Sequence, residues 1–471
     1  MLKYNKFFKK KQTKKDNFTK PDLHTHRKSP LESFKSIKLA EDALKETKNM
    51  IDEFSSRVSG SFSCLNCADF IDKRLKEYCD FSSIQEYKHK GKAYVLWLTF
   101  VPFVYVFSLL LLLIGFSVIP LLINIGFIYY VYREFIILKP LFEKNIKDSE
   151  AKNVHGVIEP EDEVLNTIIF TSHHDSAPLL NINRGEKGYF MNVEVPFILY
   201  FLSFLINIVE VFVEIITNNL LKIGFPPLTS FIIIALLLLF SPIVFKLRSY
   251  YSQEGSPGAG DNLISTSILI QLSRYYSWAK KNNKGLKNTR IIFASFDAEE
   301  VGLRGSKIWF EKHQALLKNA FQLNFDCIYN SSDLVFVDSD VNGLKNLSKE
   351  ITQKCVELAN DMGYKVKKHP LPFLSGATDA ASGMDIGIKA CTLMAINLDD
   401  GIKHTYFHTR EDTVDKIEKG AVEKAIAIAI KLSKNVDNDD FYWEKTENNR
   451  VEENNDKDIK DLIKFNKISR R

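Results

Sequence analysis

Apolar residues in this chain follow a helical period in some stretches and form unbroken runs in others. The two patterns predict different surroundings. Residues 36–54 set Ile37, Leu39, Ala40, Ala43, Leu44, Met50 and Ile51 at helical spacing. The turn-forming SSRVSGSFS follows, then a second amphipathic helix over about 65–79. Residues 93–132 carry no charged side chain. As helix, such a run would extend ~60 Å, enough for two bilayer crossings. Gly115 and Pro120 sit near its middle, where a turn is expected, and Arg133 and Glu134 end it.

Residues 149–172 turn polar and then give a strand ending in TIIFTSHHDS. A second pair of apolar segments covers about 196–216 and 228–245. In the first of these, Asn207, Glu210 and Glu214 fall on one helical face. That stripe suits either an interfacial helix or a spanning helix whose polar side faces its partners; the second reading is favoured. From Gly255 onward strands and helices alternate. Helices are expected over 262–280, 303–313, 343–361 and 417–434, and strands over 290–296, 323–329, 333–337 and 389–396. Such alternation implies an α/β sheet covered on both faces.

These patterns divide the 471 residues into a basic, disordered N-terminus (1–35), an N-terminal part of a soluble domain (36–92) and a transmembrane hairpin (93–138). The soluble domain resumes over 149–182, is interrupted by a second hairpin (196–246), and is completed by 250–435. A charged, disordered tail (436–471) closes the chain. His24 and His26 lie on the basic arm and read as solvated. The net charge of +5 comes without a basic face interleaved with aromatics, which excludes a nucleic-acid binder. The N-terminal MLKYNKFFKKKQTKK has no apolar core of the kind a cleavable signal peptide carries. The six cysteines form no disulfide framework, which fits a reducing compartment. Cys64 and Cys67 make a C-x-x-C without a second one, and the spacing reads as coincidence.

Five short segments place a metal-ligand side chain at a strand end or loop, where sites in α/β sheets collect. In SHHDS, His173 can ligate while Asp175 fixes its tautomer and orientation. In GSPGAGDN, Asp261 opens a helix and could offer an oxygen to each of two cations. In SFDAEEVGLRGS, one of Glu299 and Glu300 can ligate while the other takes a proton from water. Asp326 lies inside the apolar strand LNFDCIY, where a carboxylate needs a partner or a metal. His408 precedes a turn in FHTREDT. Each segment alone has a bland reading: a surface turn, a helix cap, a surface glutamate pair or a core histidine. Together they make a two-metal hydrolase site with mixed nitrogen and oxygen ligands.

The order H-x-D, G-A-x-D-N, E-E-x-G-L-x-G-S, N-x-D and H-T-x-x-D-T resembles the co-catalytic zinc aminopeptidases of peptidase clan MH. Relatives there include leucyl aminopeptidases, glutamate carboxypeptidase and glutaminyl cyclases. The resemblance covers about 44–92, 149–182 and 250–435, with SSRVSGS similar to the family's N-terminal Gly-Ser segment. It implies an αβα sandwich around a mixed, mostly parallel sheet. It also implies two zinc ions, one held by His173 and Asp326, the other by Glu300 and His408, with Asp261 bridging. Asp175 would orient His173, and Glu299 would be the general base. Three departures concern the substrate pocket and the oxyanion, not the metals: Leu263-Ile264-Ser265 after Asn262, Thr378-Asp379-Ala380 for a usual Ser-Asp-His, and Phe407 before His408.

His173 precedes the second apolar pair and Asp261 follows it. Both can meet at one site only if the intervening chain crosses a bilayer an even number of times. Lys88, Lys90, Lys92, Arg133, Lys139, Lys144, Arg184, Lys187, Lys246 and Arg248 flank the pairs on the domain side, against Lys222 alone between paired segments. That bias puts the domain and both termini in the cytoplasm. The expected protein is a multi-pass, membrane-anchored zinc metallopeptidase of aminopeptidase type, acting on peptides. A glutaminyl-cyclase-like single-zinc acyl transferase is one alternative, and a non-catalytic scaffold or receptor on the same fold is another.

Overall fold

The computed structural model describes residues 34–144, 146–181, 186–219, 224–317, 319–399 and 406–443. The basic arm with His24 and His26, Arg184, Lys222 and the tail beyond 443 lie outside the described residues. The strands are β1 (Phe81–His89), β2 (Ser149–Ile158), β3 (Asn166–His173), β4 (Pro178–Leu180), β5 (Tyr251–Gly255), β6 (Thr289–Phe296), β7 (Ala320–Ile328), β8 (Leu334–Asp340), β9 (Lys345–Asn346), β10 (Lys367–Pro370) and β11 (Lys389–Ala395). The main sheet runs β1-β2-β6-β3-β7-β11-β8-β10, with β9 beside β8; β4 and β5 pair separately. Its centre, β6-β3-β7-β11, is parallel, while β1, β2 and β8 join antiparallel.

Every residue of β3 and β7 is buried. Parallel strands covered on both faces need continuous apolar sequence, which NTIIFTSH and AFQLNFDCI largely supply. The period-two alternation separates two cores. Ile168 and Phe170 face a layer that includes α1 (Ser36–Phe54), α2 (Phe62–Tyr78), α9 (Ile264–Lys281), α11 (Lys349–Asp361) and α13 (Lys419–Asp437). Ile169 faces Trp309 and Phe310 of α10 (Arg304–His313) on the other side, next to α12 (Ala380–Asp385). The result is an α/β sandwich around a mixed sheet.

Between these elements lie α3 (Leu96–Leu113), α4 (Val118–Val131), α5 (Glu186–Tyr189), α6 (Val195–Ile216), α7 (Leu228–Leu239) and α8 (Ser241–Phe245). Among the described residues, three helices are long and apolar enough to cross a membrane: Gly91–Leu113, Val118–Ile136 and Lys187–Ile216. A fourth crossing would be the pair Leu228–Leu239 and Ser241–Ser249, bent by 42°. These helices expose Phe103, Phe107, Leu122, Phe201 and Phe212, while Ser108, Ser117, Asn124, Asn207 and Glu210 are buried between them. Such an inverted distribution suits a lipid surrounding. The buried groups pair: Asn124 Nδ2 donates to Ser108 Oγ at 2.9 Å and Tyr200 OH to Asn124 Oδ1 at 2.8 Å. Ser117 Oγ donates to Glu214 at 2.5 Å, and Asn207 Nδ2 to the Ser117 carbonyl at 2.7 Å. The polar stripe on α6 therefore faces its partner helices.

Several boundaries differ from those expected. Pro120 lies in the first turn of α4 rather than in the turn before it, a position that needs no backbone donor. Arg133 and Glu134 do not end the first hairpin, because a π-turn continues over Tyr132–Ile136. Glu134 is buried there and meets Arg304 Nη2 at 3.4 Å, docking the hairpin on α10. The segment 228–245 is a broken helix. The helix expected from 343 starts only at Lys349: Val341, Asn342 and Gly343 hold positive φ, which a right-handed helix excludes, and Lys345–Asn346 then pair with β8 as β9. The polar strands β1, β2 and β10 carry no continuous apolar signal and were not anticipated.

Candidate metal centre

The parallel register sets the site. His173, last in β3, lies opposite Phe296, last in β6, so the loop after β6 emerges beside it. That loop carries Glu299 and Glu300. Ala298 (φ 60), Gly302 (φ 99) and Leu303 (φ 60) give it a left-handed turn. A Cβ on Gly305 would lie 2.0 Å from the Asp297 carbonyl, so the second glycine of E-E-V-G-L-R-G allows close approach.

Asp175 does two things. Its Oδ1 lies 3.3 Å from His173 Nδ1, which turns Nε2 inward. Its two oxygens also accept from the backbone N–H of Glu299 and Glu300, each at 3.2 Å. One buried carboxylate thus orients an imidazole and fixes both glutamates.

Asp261 sits in an irregular turn, Ala259–Leu263, with a cis Asp261–Asn262 peptide. Its Oδ1 is 3.3 Å from His173 Nε2 and its Oδ2 is 3.2 Å from His408 Nε2. His173 Nε2 also lies 3.8 Å from Glu299 Oε2 and 3.9 Å from Asp326 Oδ1, while His408 Nε2 lies 3.1 Å from Glu300 Oε2. All seven residues named from the sequence therefore come together: His173, Asp175, Asp261, Glu299, Glu300, Asp326 and His408. The donor atoms of His173, Asp261 and Asp326 lie within 4.8 Å of one another, and so do those of Asp261, Glu300 and His408. The two sets share Asp261.

Burial is the main force on these carboxylates. It raises Asp326 and Glu299 well above the usual range, with crowding among the carboxylates adding to it, and it raises Glu300. Against burial, hydrogen bonds from His173 and His408 hold Asp261 low. The same acidic crowd outweighs burial at both imidazoles and raises them well above their ordinary value. Five carboxylates around two imidazoles draw positive charge into the cluster. Glu300 Oε1 is buried without a hydrogen-bond partner. This donor set and its unmet acceptor fit divalent metal with mixed nitrogen and oxygen ligands.

Supporting residues were less legible. Asp412, from the H-T-x-x-D-T stretch, accepts from the backbone N–H of Gly260 at 2.8 Å and Asp261 at 3.3 Å. Arg57, in SSRVSGS, is fully buried and reaches four carbonyls: Ser55 (2.6 Å), His174 (2.8 Å), Pro257 (2.9 Å) and Gly258 (3.0 Å). It ties the His173 loop to the Asp261 loop. Tyr251, just after the second apolar pair, is a phenol pushed well above its ordinary value, by burial first and then by Tyr250, Tyr94 and Glu300. Tyr406 is partly exposed, and Phe407 packs edge-on against His408 with ring centroids 4.8 Å apart.

Gly260 gives a local test. A Cβ there would lie 2.1 Å from the buried Tyr329 ring. Gly260→Ala should push Asp261 out of place, cost ~1–3 kcal/mol by overpacking, and lower metal content. Thermal unfolding together with metal analysis checks it; unchanged values in both would show that the turn adapts.

The mixed sheet thus gathers two imidazoles and five carboxylates around its strand ends, where sites in α/β sheets collect. Residues 248–433 match Peptidase family M28, in agreement with the resemblance in the motifs. The chain is similar to aminopeptidase YwaD of Bacillus subtilis (strain 168), 24% identical over 185 residues, which take in 39% of this chain and 38% of that enzyme. The match thus spans well under half of that relative. Among solved structures it is similar to a zinc-dependent exopeptidase from Parabacteroides distasonis (13% identity, TM-score 0.49, covering 84% of this chain and 98% of that one). It is also similar to a glutaminyl cyclase from Bacteroides thetaiotaomicron (14% identity, TM-score 0.48, 84% and 97%).

Proposed function

We propose that this chain is a membrane-anchored zinc aminopeptidase with a two-ion site and Glu299 as general base. The observation that carries the reading is Asp261, whose two oxygens each meet a different imidazole. Each imidazole has its own further carboxylate, Asp326 beside His173 and Glu300 beside His408. His173, Asp326 and Asp261 would hold one zinc, and Glu300, His408 and Asp261 the other. Bound there, zinc supplies Lewis acidity and lowers the pKa of a nearby water toward neutrality. Asp175 keeps His173 in the ligating tautomer and holds the Glu299–Glu300 backbone. Glu299, the glutamate that does not contact His408, takes the proton from the attacking water and returns it to the leaving amine. The family match supports peptides as substrates.

The apolar helices would span the bilayer as two hairpins and leave the domain and both termini on the cytoplasmic side. Both pairs return to the α/β domain, and their exposed aromatics support this reading. Extraction by detergent but not by alkaline carbonate is the expected behaviour, and release by carbonate alone would sink it.

The experiment for the site is zinc analysis and a peptide panel on wild type and Asp261→Ala. Wild type should release N-terminal residues. The variant should lose most of its catalytic zinc, because one change removes a ligand from both ions. A variant that loses a single ion would favour a one-zinc centre of the cyclase kind, and an inert, metal-free wild type would favour a scaffold.

A further inference from the structure

Behind the site, on the side of α2, lies a second buried group that the proposed chemistry does not use. Cys64 Sγ, an imidazole nitrogen of His174 and a carboxylate oxygen of Asp297 lie within 4.8 Å of one another. All three residues are fully buried.

The hydrogen bonds nearby fix the protons. Thr266 Oγ1 donates to the carbonyl of His173 at 3.0 Å, which can only accept. With that proton used, Ser295 Oγ, 3.0 Å away, must donate to Thr266 Oγ1. Ser295 Oγ is then left to accept from His174 Nδ1, also at 3.0 Å. Neutral His174 thus carries its proton on Nδ1 and a bare lone pair on Nε2, the ligating form of the ring. Nε2 is buried and has no hydrogen-bond partner. Asp297 is in the same condition: Oδ2 accepts from the Lys152 N–H at 3.1 Å, and Oδ1 is buried without a partner. Two orphaned acceptors beside a thiol are costly unless something positive joins them.

Burial, with Asp297 beside it, pushes the Cys64 thiol well above its ordinary value, so the thiol gives up its proton only to a bound cation. Cys64 lies in the first turn of α2, where Ser61 Oγ accepts from its N–H at 3.2 Å. A thiolate, a carboxylate and a neutral imidazole around one divalent cation sum to zero charge, which suits burial. Thiolate with nitrogen and oxygen selects a borderline-soft ion such as Zn²⁺ over Mg²⁺ or Ca²⁺.

We propose that Cys64, His174 and Asp297 form a third, structural zinc site. It ties the start of α2 to the ends of β3 and β6. Those strand ends carry His173 and the Glu299–Glu300 pair, so this ion would brace the catalytic ligands without touching substrate.

The test uses the full chain in detergent, produced with cobalt in place of zinc. None of the proposed catalytic ligands is a thiol, but Cys327 lies beside Asp326, so a thiolate-to-cobalt charge-transfer band in the near ultraviolet is assigned to this site by its loss in Cys64→Ala. The band should be present in wild type and in Cys67→Ala and absent in Cys64→Ala, and the zinc-loaded Cys64→Ala protein should hold one ion fewer than wild type. A wild-type cobalt protein without the band would mean that protons alone fill the cluster, which overturns the proposal and needs no variant to fold. A band that survives Cys64→Ala overturns it as well. Neither result bears on the peptidase reading, which fails separately through hydrolysis and the zinc lost on Asp261→Ala.

Discussion

Glu299→Gln should abolish turnover while leaving the zinc in place. The substitution keeps shape and volume in a pocket where the glutamate side chain is only 9% exposed. Its backbone N–H stays on Asp175, so the amide occupies the same position. What is lost is the ability to accept a proton from water and return it to the amine. General-base catalysis contributes ~10²–10⁴-fold, and a water nucleophile depends on it strongly, so kcat should fall ~10³-fold, equivalent to ~4 kcal/mol of barrier. KM and zinc content should hold. Glu300→Gln provides the contrast: it weakens a group 3.1 Å from His408 Nε2 and should lower zinc content together with rate. Single-turnover kinetics with metal analysis on both variants distinguishes the roles. A Glu299→Gln enzyme within tenfold of wild type would refute the assignment of the base.

Arg57→Met should be the most destabilising single change outside the metal ligands. The guanidinium is buried with no ion pair to a carboxylate among the described residues, and four carbonyl oxygens share its donors. Methionine fills the space of the stem but leaves those carbonyls unsatisfied in a dry interior. The expected loss is ~3–5 kcal/mol, the range for removing one member of a buried charged network. The carbonyls belong to Ser55, His174, Pro257 and Gly258, so the loops bearing His173 and Asp261 loosen together. Zinc affinity should drop with stability. Arg57→Lys should give partial loss, because a single ammonium with three donors cannot replace a planar fork that reaches four acceptors. Urea unfolding of the detergent-solubilised protein, with and without a chelator, measures both effects. A loss below ~1 kcal/mol for Arg57→Met would mean that water replaces the guanidinium.

The candidate ligands were legible because each occupies a short segment with a local signature: an imidazole after a buried strand, a glutamate pair before a glycine-punctuated helix, a carboxylate inside an apolar strand. Their order along the chain carried the family. The apolar runs were legible for the same kind of reason, since forty uncharged residues have few homes outside a bilayer. The polar edge strand β1 and its neighbour β2 were not. They are held by ladders, β1 on β2 with Phe81 opposite Val157 and His89 opposite Ser149, and β2 in turn on β6, more than by their own composition.

Composition and spacing alone thus carry the element types over the buried strands, the pairing of apolar runs and the set of candidate ligands. All of these depend on neighbours within a few residues. Folding adds what depends on distance through space. Asp175 reaches the backbone of residues more than a hundred positions away. Asp261 divides its oxygens between two histidines that the chain separates by 235 positions. Arg57 reads as an ordinary turn residue until four carbonyls from three segments close around it. The C-x-x-C is instructive in the same way. Its spacing has no partner in the sequence, yet in space Cys64 faces a histidine and an aspartate from two other strand ends. Local pattern selects elements because backbone geometry is periodic. A site is made by contacts between elements, and those are set by packing and buried hydrogen bonds that no local period records.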